Sequence, residues 1–127
     1  MNSDLNDKYR PKSRTVISTF QHATCGILLA IKKERNMKIH VFFALAVICL
    51  GWWTSLTKIE WLFVIFAIGG MISLELLNTA IERVVDLVTE EFHPLAKQAK
   101  DIAAGAVFAY AILSVIVGLL IFWPKLF

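Results

Sequence analysis

The stretch WLFVIFAIGGMISLELLNTAIERVVD, residues 61 to 86, decides the fold. From Trp61 to Leu74 every side chain is apolar or small, and none is charged. The run then acquires Glu75, Asn78, Glu82 and Asp86 without losing helical character. At 3.6 residues per turn these four fall within a sector of about 80°. Leu76, Leu77, Ala80, Ile81, Val84 and Val85 lie between them. An apolar helix thus carries one stripe of hard oxygen ligands towards its end.

Two more apolar runs flank this one, at about 39–56 and 102–123, against about 61–82 for the central run. Each approaches the roughly 20 residues needed to cross a bilayer's hydrocarbon. The 127-residue chain is 57% apolar with a mean hydropathy of +0.66. A chain this short cannot bury that excess in a core of its own, so a bilayer is the solvent expected for it. Trp52, Trp53, Trp61 and Trp123 stand where an aromatic belt belongs. Residues 57–60 leave room only for a tight hairpin. Gly69 and Gly70, with Ala67, suit close helix packing, as do Ala103, Ala104, Gly105 and Ala106. Cys25 and Cys49 match no metal or redox spacing and read as apolar fillers.

Charge sets the expected orientation. Of thirteen basic residues, eight precede residue 39: Lys8, Arg10, Lys12, Arg14, Lys32, Lys33, Arg35 and Lys38. Such a cluster holds the N-terminus in the cytoplasm and attracts anionic headgroups. Three spans then place residues 83–101 inside and the C-terminus outside. The apolar run begins after a long polar stretch and lacks a small-residue cleavage site, so no signal peptide is expected. Residues 1–13 read as a disordered tail. Residues 14–35 read as an amphipathic helix lying in the interface, with Val16, Phe20, Ala23, Ile27 and Ile31 on one face. Were that helix straight, Glu34, eighteen positions after Val16, would fall on the same apolar face.

A carboxylate at membrane depth costs at least about 2.5–3.5 kcal/mol on insertion scales, so the stripe needs a reason. Glu75 lies about two turns deeper than Glu82, where simple solvation fails. One reading is structural, with the acids neutralised by Arg83 and Lys100; another leaves Glu82 and Asp86 simply solvated at the helix end. A functional reason is metal and phosphate chemistry. Mg²⁺ takes hard oxygen ligands and often binds through one or two carboxylates plus substrate phosphates. A carboxylate drawn out of water accepts a hydroxyl proton more readily. Lys100, beside Asp101, supplies positive charge for phosphate oxygens. No Walker A motif or kinase Gly-rich loop is present in the sequence. The residues themselves therefore imply a metal- and phosphate-handling site at the membrane surface. Two rivals stand beside it: a small ion-coupled transporter subunit with an intramembrane Glu, and a structural scaffold.

At these residues the chain resembles the bacterial integral-membrane diacylglycerol kinase and undecaprenol kinase family. The matching blocks are ELLNTAIERVVD (75 to 86), AKDIAAGAV (99 to 107) and, upstream, GILLAIKKERNMKIH (26 to 40). With the three spans, the resemblance covers about residues 14 to 123. It implies an all-α integral membrane protein, a homotrimer with an N-terminal interfacial helix and three transmembrane helices per subunit, residues 14–127 forming one kinase domain in the bacterial plasma membrane. It implies transfer of the γ-phosphate of MgATP to a lipid alcohol. Glu75 matches the catalytic base, and Glu34 and Glu82 match metal-binding carboxylates that also meet ATP. Asn78, Glu91, His93, Lys100 and Asp101 match positions lining the nucleotide site. Glu75 and Ala104 match positions that meet the lipid. The ERNMKIH and IEWLF segments are similar to Gram-positive members, which implies undecaprenol as substrate, with diacylglycerol as the alternative. The chain departs from the family pattern at several places. Thr79 stands where Ser is common, and His22 where an aromatic is common. Thr15, next to Arg14, stands where an Arg often reaches the nucleotide, and His93-Pro94 stiffens the cytoplasmic loop.

Overall fold

The computed structural model describes residues 15–127; the tail expected at 1–13, and Arg14, lie outside the described residues. Four helices follow one another: α1 (Val16–Lys33), α2 (Arg35–Trp53), α3 (Lys58–Val88) and α4 (Pro94–Leu126). The last three are long and apolar enough to cross a membrane. Their large side chains mostly point outward: Phe42, Phe63, Phe66, Phe108 and Leu120 are all exposed. That is the surface a helix shows to lipid, and water would not tolerate it over such an area.

The break between α1 and α2 corrects the straight-helix expectation. Glu34 leaves the helical region (φ −91°, ψ 127°), ending α1 with its N–H on the Ala30 carbonyl and opening α2. Its side chain is therefore placed by the joint and not by the face of α1. Ala30 is the buried residue of α1, while Val16, Ile17 and Phe20 are open.

The hairpin between α2 and α3 is shifted from its expected place. Thr57 and Glu60 form a capping box: the Glu60 N–H donates to Thr57 Oγ1 (3.3 Å) and the Thr57 N–H to Glu60 Oε2 (2.7 Å). Helix α3 thus starts at Lys58, and the turn occupies Thr54–Thr57 with Ser55 in the left-handed region (φ 52°). Helix α4 starts eight residues before the expected span, because His93 caps it and Pro94 occupies its first turn, where a missing N–H costs nothing. Lys97, expected in a loop, is therefore helical.

Helices α3 and α4 run antiparallel. Near the hairpin end, Leu56, Val64, Ile121 and Phe122 form a small core, and Lys125 meets Glu60 at 3.2 Å. Midway, the Tyr110 hydroxyl donates to the Phe66 carbonyl at 2.8 Å. Gly70 permits this approach, since a Cβ there would lie 2.0 Å from the Tyr110 oxygen. These contacts lock α3 against α4 and leave the polar stripe of α3 at the opposite end.

Candidate active site

Helix α3 presents the stripe as its spacing requires. Glu75, Asn78 and Thr79 are its buried polar residues, at 2%, 5% and 8% exposure. Met37, wholly buried at the start of α2, anchors that helix beside them. His40, one turn further along α2, brings Nε2 to 3.9 Å from Glu75 Oε2. The other charges that reach Glu75 are those of Glu82 and Glu34. Asn78 donates through Nδ2 to Glu82 Oε1 at 3.1 Å, while its own Oδ1 is buried without a donor. Glu34 is paired with Arg83, whose guanidinium lies at 2.7 Å.

One layer therefore gathers Glu34, Glu75, Asn78 and Glu82, drawn from the α1–α2 joint and from α3. Its donors are oxygens, and an orphaned buried carbonyl oxygen sits beside a carboxylate; that set suits a hard cation such as Mg²⁺. Among the described residues no three His, Cys, Asp or Glu side chains are gathered tightly enough to hold an ion alone. Water and phosphate oxygens would complete the shell, as is usual for Mg²⁺.

A second polar group lies beyond the end of α3. A cleft of about 520 Å³ between α3, the following loop and α4 is lined by Asp86, Glu91, His93, Lys97, Lys100 and Asp101, among others. Lys100 donates to Asp86 at 2.5 Å, and Lys97 to Asp101. His93 Nδ1 accepts from the Leu95 N–H at 3.2 Å, so that nitrogen is engaged in capping α4. The structure thus brings Glu91, His93, Lys100 and Asp101 together, and it sets them apart from Asn78.

Towards the hairpin from Glu75, an apolar cavity of about 340 Å³ runs between α2, α3 and α4, lined in part by His40, the neighbour of Glu75. Its walls include Phe43, Met71, Ile72, Val115 and Gly118, and its polar lining is His40 and Ser114. Ala104 does not line it: it stands exposed on α4, while its neighbour Ala103 is buried.

Two residues of the site have no part in the sequence-based chemistry. His40 has no motif; its only signal is a polar side chain in the first turns of an apolar run. Arg83 has a place there only in the structural alternative, as a neutralising charge. Arg83 with Glu34, and Lys100 with Asp86, form the ion pairs of that alternative. Glu75 and Glu82 have no Lys or Arg partner among the described residues.

The profile of prokaryotic diacylglycerol kinases matches residues 21–122. The chain is 51% identical over 118 residues to an undecaprenol kinase of Bacillus subtilis, covering 93% of this chain and 96% of that one. It is 44% identical over 115 residues to a diacylglycerol kinase of Synechocystis sp., covering 87% and 64%. A diacylglycerol kinase of Haemophilus influenzae is 33% identical over 109 residues, covering 85% and 92%.

Proposed function

This chain belongs to the prokaryotic diacylglycerol kinase family, and on that premise we propose that it transfers the γ-phosphate of ATP to the hydroxyl of undecaprenol. It is a lipid kinase of the membrane. The observation that carries the mechanism is Glu75: a carboxylate 2% exposed, in the polar layer and 3.9 Å from His40, which lines the apolar cavity. Neither the transporter nor the scaffold reading accounts for kinases as relatives over nearly the whole chain.

The undecaprenol alcohol enters from the bilayer with its first units in the apolar cavity and its hydroxyl beside Glu75. The hydroxyl oxygen bonds to the terminal phosphorus of ATP, its proton passes to Glu75, and the bond to the ADP oxygen breaks. Burial of Glu75 keeps water from competing as acceptor. Glu34 and Glu82 would hold Mg²⁺, with the Asn78 side-chain carbonyl beside them, and the ion would offset charge on the phosphate oxygens. In the outer cleft, Lys100 faces the nucleotide phosphates with Asp86 positioning it, Asp101 pairs with Lys97, and Glu91 and His93 border the same space. Ala104 borders the lipid on the open face of α4. The basic residues of α1 and α2 keep this end cytoplasmic, with α1 in the interface and the C-terminus outside. Three copies form the working enzyme, covering the stripe that one copy leaves partly open.

Undecaprenol is preferred to diacylglycerol here because the undecaprenol kinase relative shares 51% identity over 96% of its own length. Side-by-side rates with MgATP in one lipid–detergent system test both parts. The expected result is a kcat/KM for undecaprenol at least about tenfold above that for diacylglycerol. A preference for diacylglycerol overturns the substrate, and phosphorylation of neither overturns the kinase reading.

A further inference from the structure

Arg83 follows Glu82 in sequence and reaches across to the other acid of the layer. Its guanidinium donates to Glu34 Oε1 at 2.7 Å, over forty-nine positions of chain. The contact ties the α1–α2 joint to α3. Glu34 makes no side-chain cap to α2, and Arg83 is the one side-chain partner shown for it among the described residues.

The pair is half-exposed, with side-chain exposures of 46% for Arg83 and 31% for Glu34. Ion pairs in that setting are weak. A divalent cation brings twice the charge of a guanidinium to the same oxygen, without the cost of ordering a long side chain. Arg83 is shown on Oε1 alone, so the competition is for the charge of one carboxylate, which a divalent cation satisfies in place of the guanidinium.

We propose that Arg83 is the resting counter-ion of Glu34, exchanged for a divalent cation when the site loads, so that the tie between the α1–α2 joint and α3 passes from Arg83 to a cation shared with Glu82. The proposal rests on Glu34 being a metal ligand, as assigned above. Its consequence is a built-in competition: the apparent metal affinity is lowered by the fraction of time Arg83 holds Glu34. Arg83 also lines a cleft between α1 and α3 with His22, Gly26 and Thr79, so the exchange alters the floor on which α1 rests.

The test uses the full chain in lipid nanodiscs without nucleotide, with Mn²⁺ as an oxygen-seeking, paramagnetic probe. Free Mn²⁺ is followed by electron paramagnetic resonance. Arg83→Gln tightens Mn²⁺ binding by roughly two- to fivefold, the range a half-exposed ion pair can supply. Arg83→Lys, which keeps the charge, stays near wild type. Arg35→Gln removes an exposed positive charge next to Glu34 and leaves the pair intact, so it tightens binding less than Arg83→Gln does. Trypsin gives a second readout at Lys32, Lys33 and Arg35 in the joint. Without metal, Arg83→Gln is cut there faster than wild type, and Mn²⁺ slows cleavage of the variant by bridging Glu34 to Glu82. Unchanged or weaker Mn²⁺ binding in Arg83→Gln overturns the proposal, as does equal tightening by Arg35→Gln. Wild-type Mn²⁺ binding in Glu34→Gln strikes instead at the assignment of Glu34 as a ligand.

Discussion

Glu75 occupies a position that costs free energy to maintain, and no Lys or Arg among the described residues compensates it. A side chain placed so is retained for what it does. The stripe to which it belongs was legible because helical spacing is local arithmetic: Glu75, Asn78 and Glu82 share a face whatever surrounds them. The partners were legible only in part: Arg83 and Lys100 stood out as neutralising charges, but which acid each meets did not. His40 lies thirty-five positions from Glu75 and Arg83 forty-nine from Glu34, and only packing brings them together. Asn78 is the residue whose own role can be isolated, since its Nδ2 holds Glu82 and its Oδ1 is unused. Groups that orient a metal's carboxylate typically contribute about 10–100-fold in metal affinity or activity. Asn78→Ala should therefore shift the Mg²⁺ dependence of the rate upward by at least about tenfold, measured by metal titration at saturating ATP.

At the scale of elements, the joint at Glu34 and the seam between α3 and α4 position the layer. Nothing between Lys32 and Asn36 is a Pro or Gly, so the sequence offers no breaker for the break at Glu34. The starts of α3 and α4 have local causes. Thr57-Lys58-Ile59-Glu60 carries a capping-box signature, so the helix begins inside what length alone makes a loop. His93 is an unusual cap, and its signal was the Pro that follows it. In the seam, a Cβ at Gly70 would strike Tyr110 at 2.0 Å. Gly70→Ala should destabilise the fold by about 1–3 kcal/mol, as overpacking does. Tyr110→Phe, which loses only the bond to the Phe66 carbonyl, should cost about 1 kcal/mol. Unfolding midpoints in mixed detergent micelles check both, and Tyr110→Ala should restore most of the loss in Gly70→Ala.

At the scale of the whole molecule, three spans were readable from hydrophobic length, because lipid imposes one requirement on every position it touches. Their ends were not, because α3 and α4 extend past the apolar runs into polar segments that the site uses: Glu82 and Asp86 on α3, Lys97 to Asp101 on α4. That extension gives the enzyme a polar cleft for the nucleotide beyond the end of α3, while the apolar cavity for the lipid chain lies towards the hairpin, and Glu75 falls between the two along α3. Joining those two spaces is the central claim, and Glu75→Gln tests it most directly. The substitution preserves size and removes the proton acceptor. With purified protein in bilayers, MgATP and undecaprenol, transfer of labelled γ-phosphate to the lipid should fall by at least about 100-fold, while the KM for ATP stays within about threefold of wild type. Near wild-type transfer by Glu75→Gln would contradict the account.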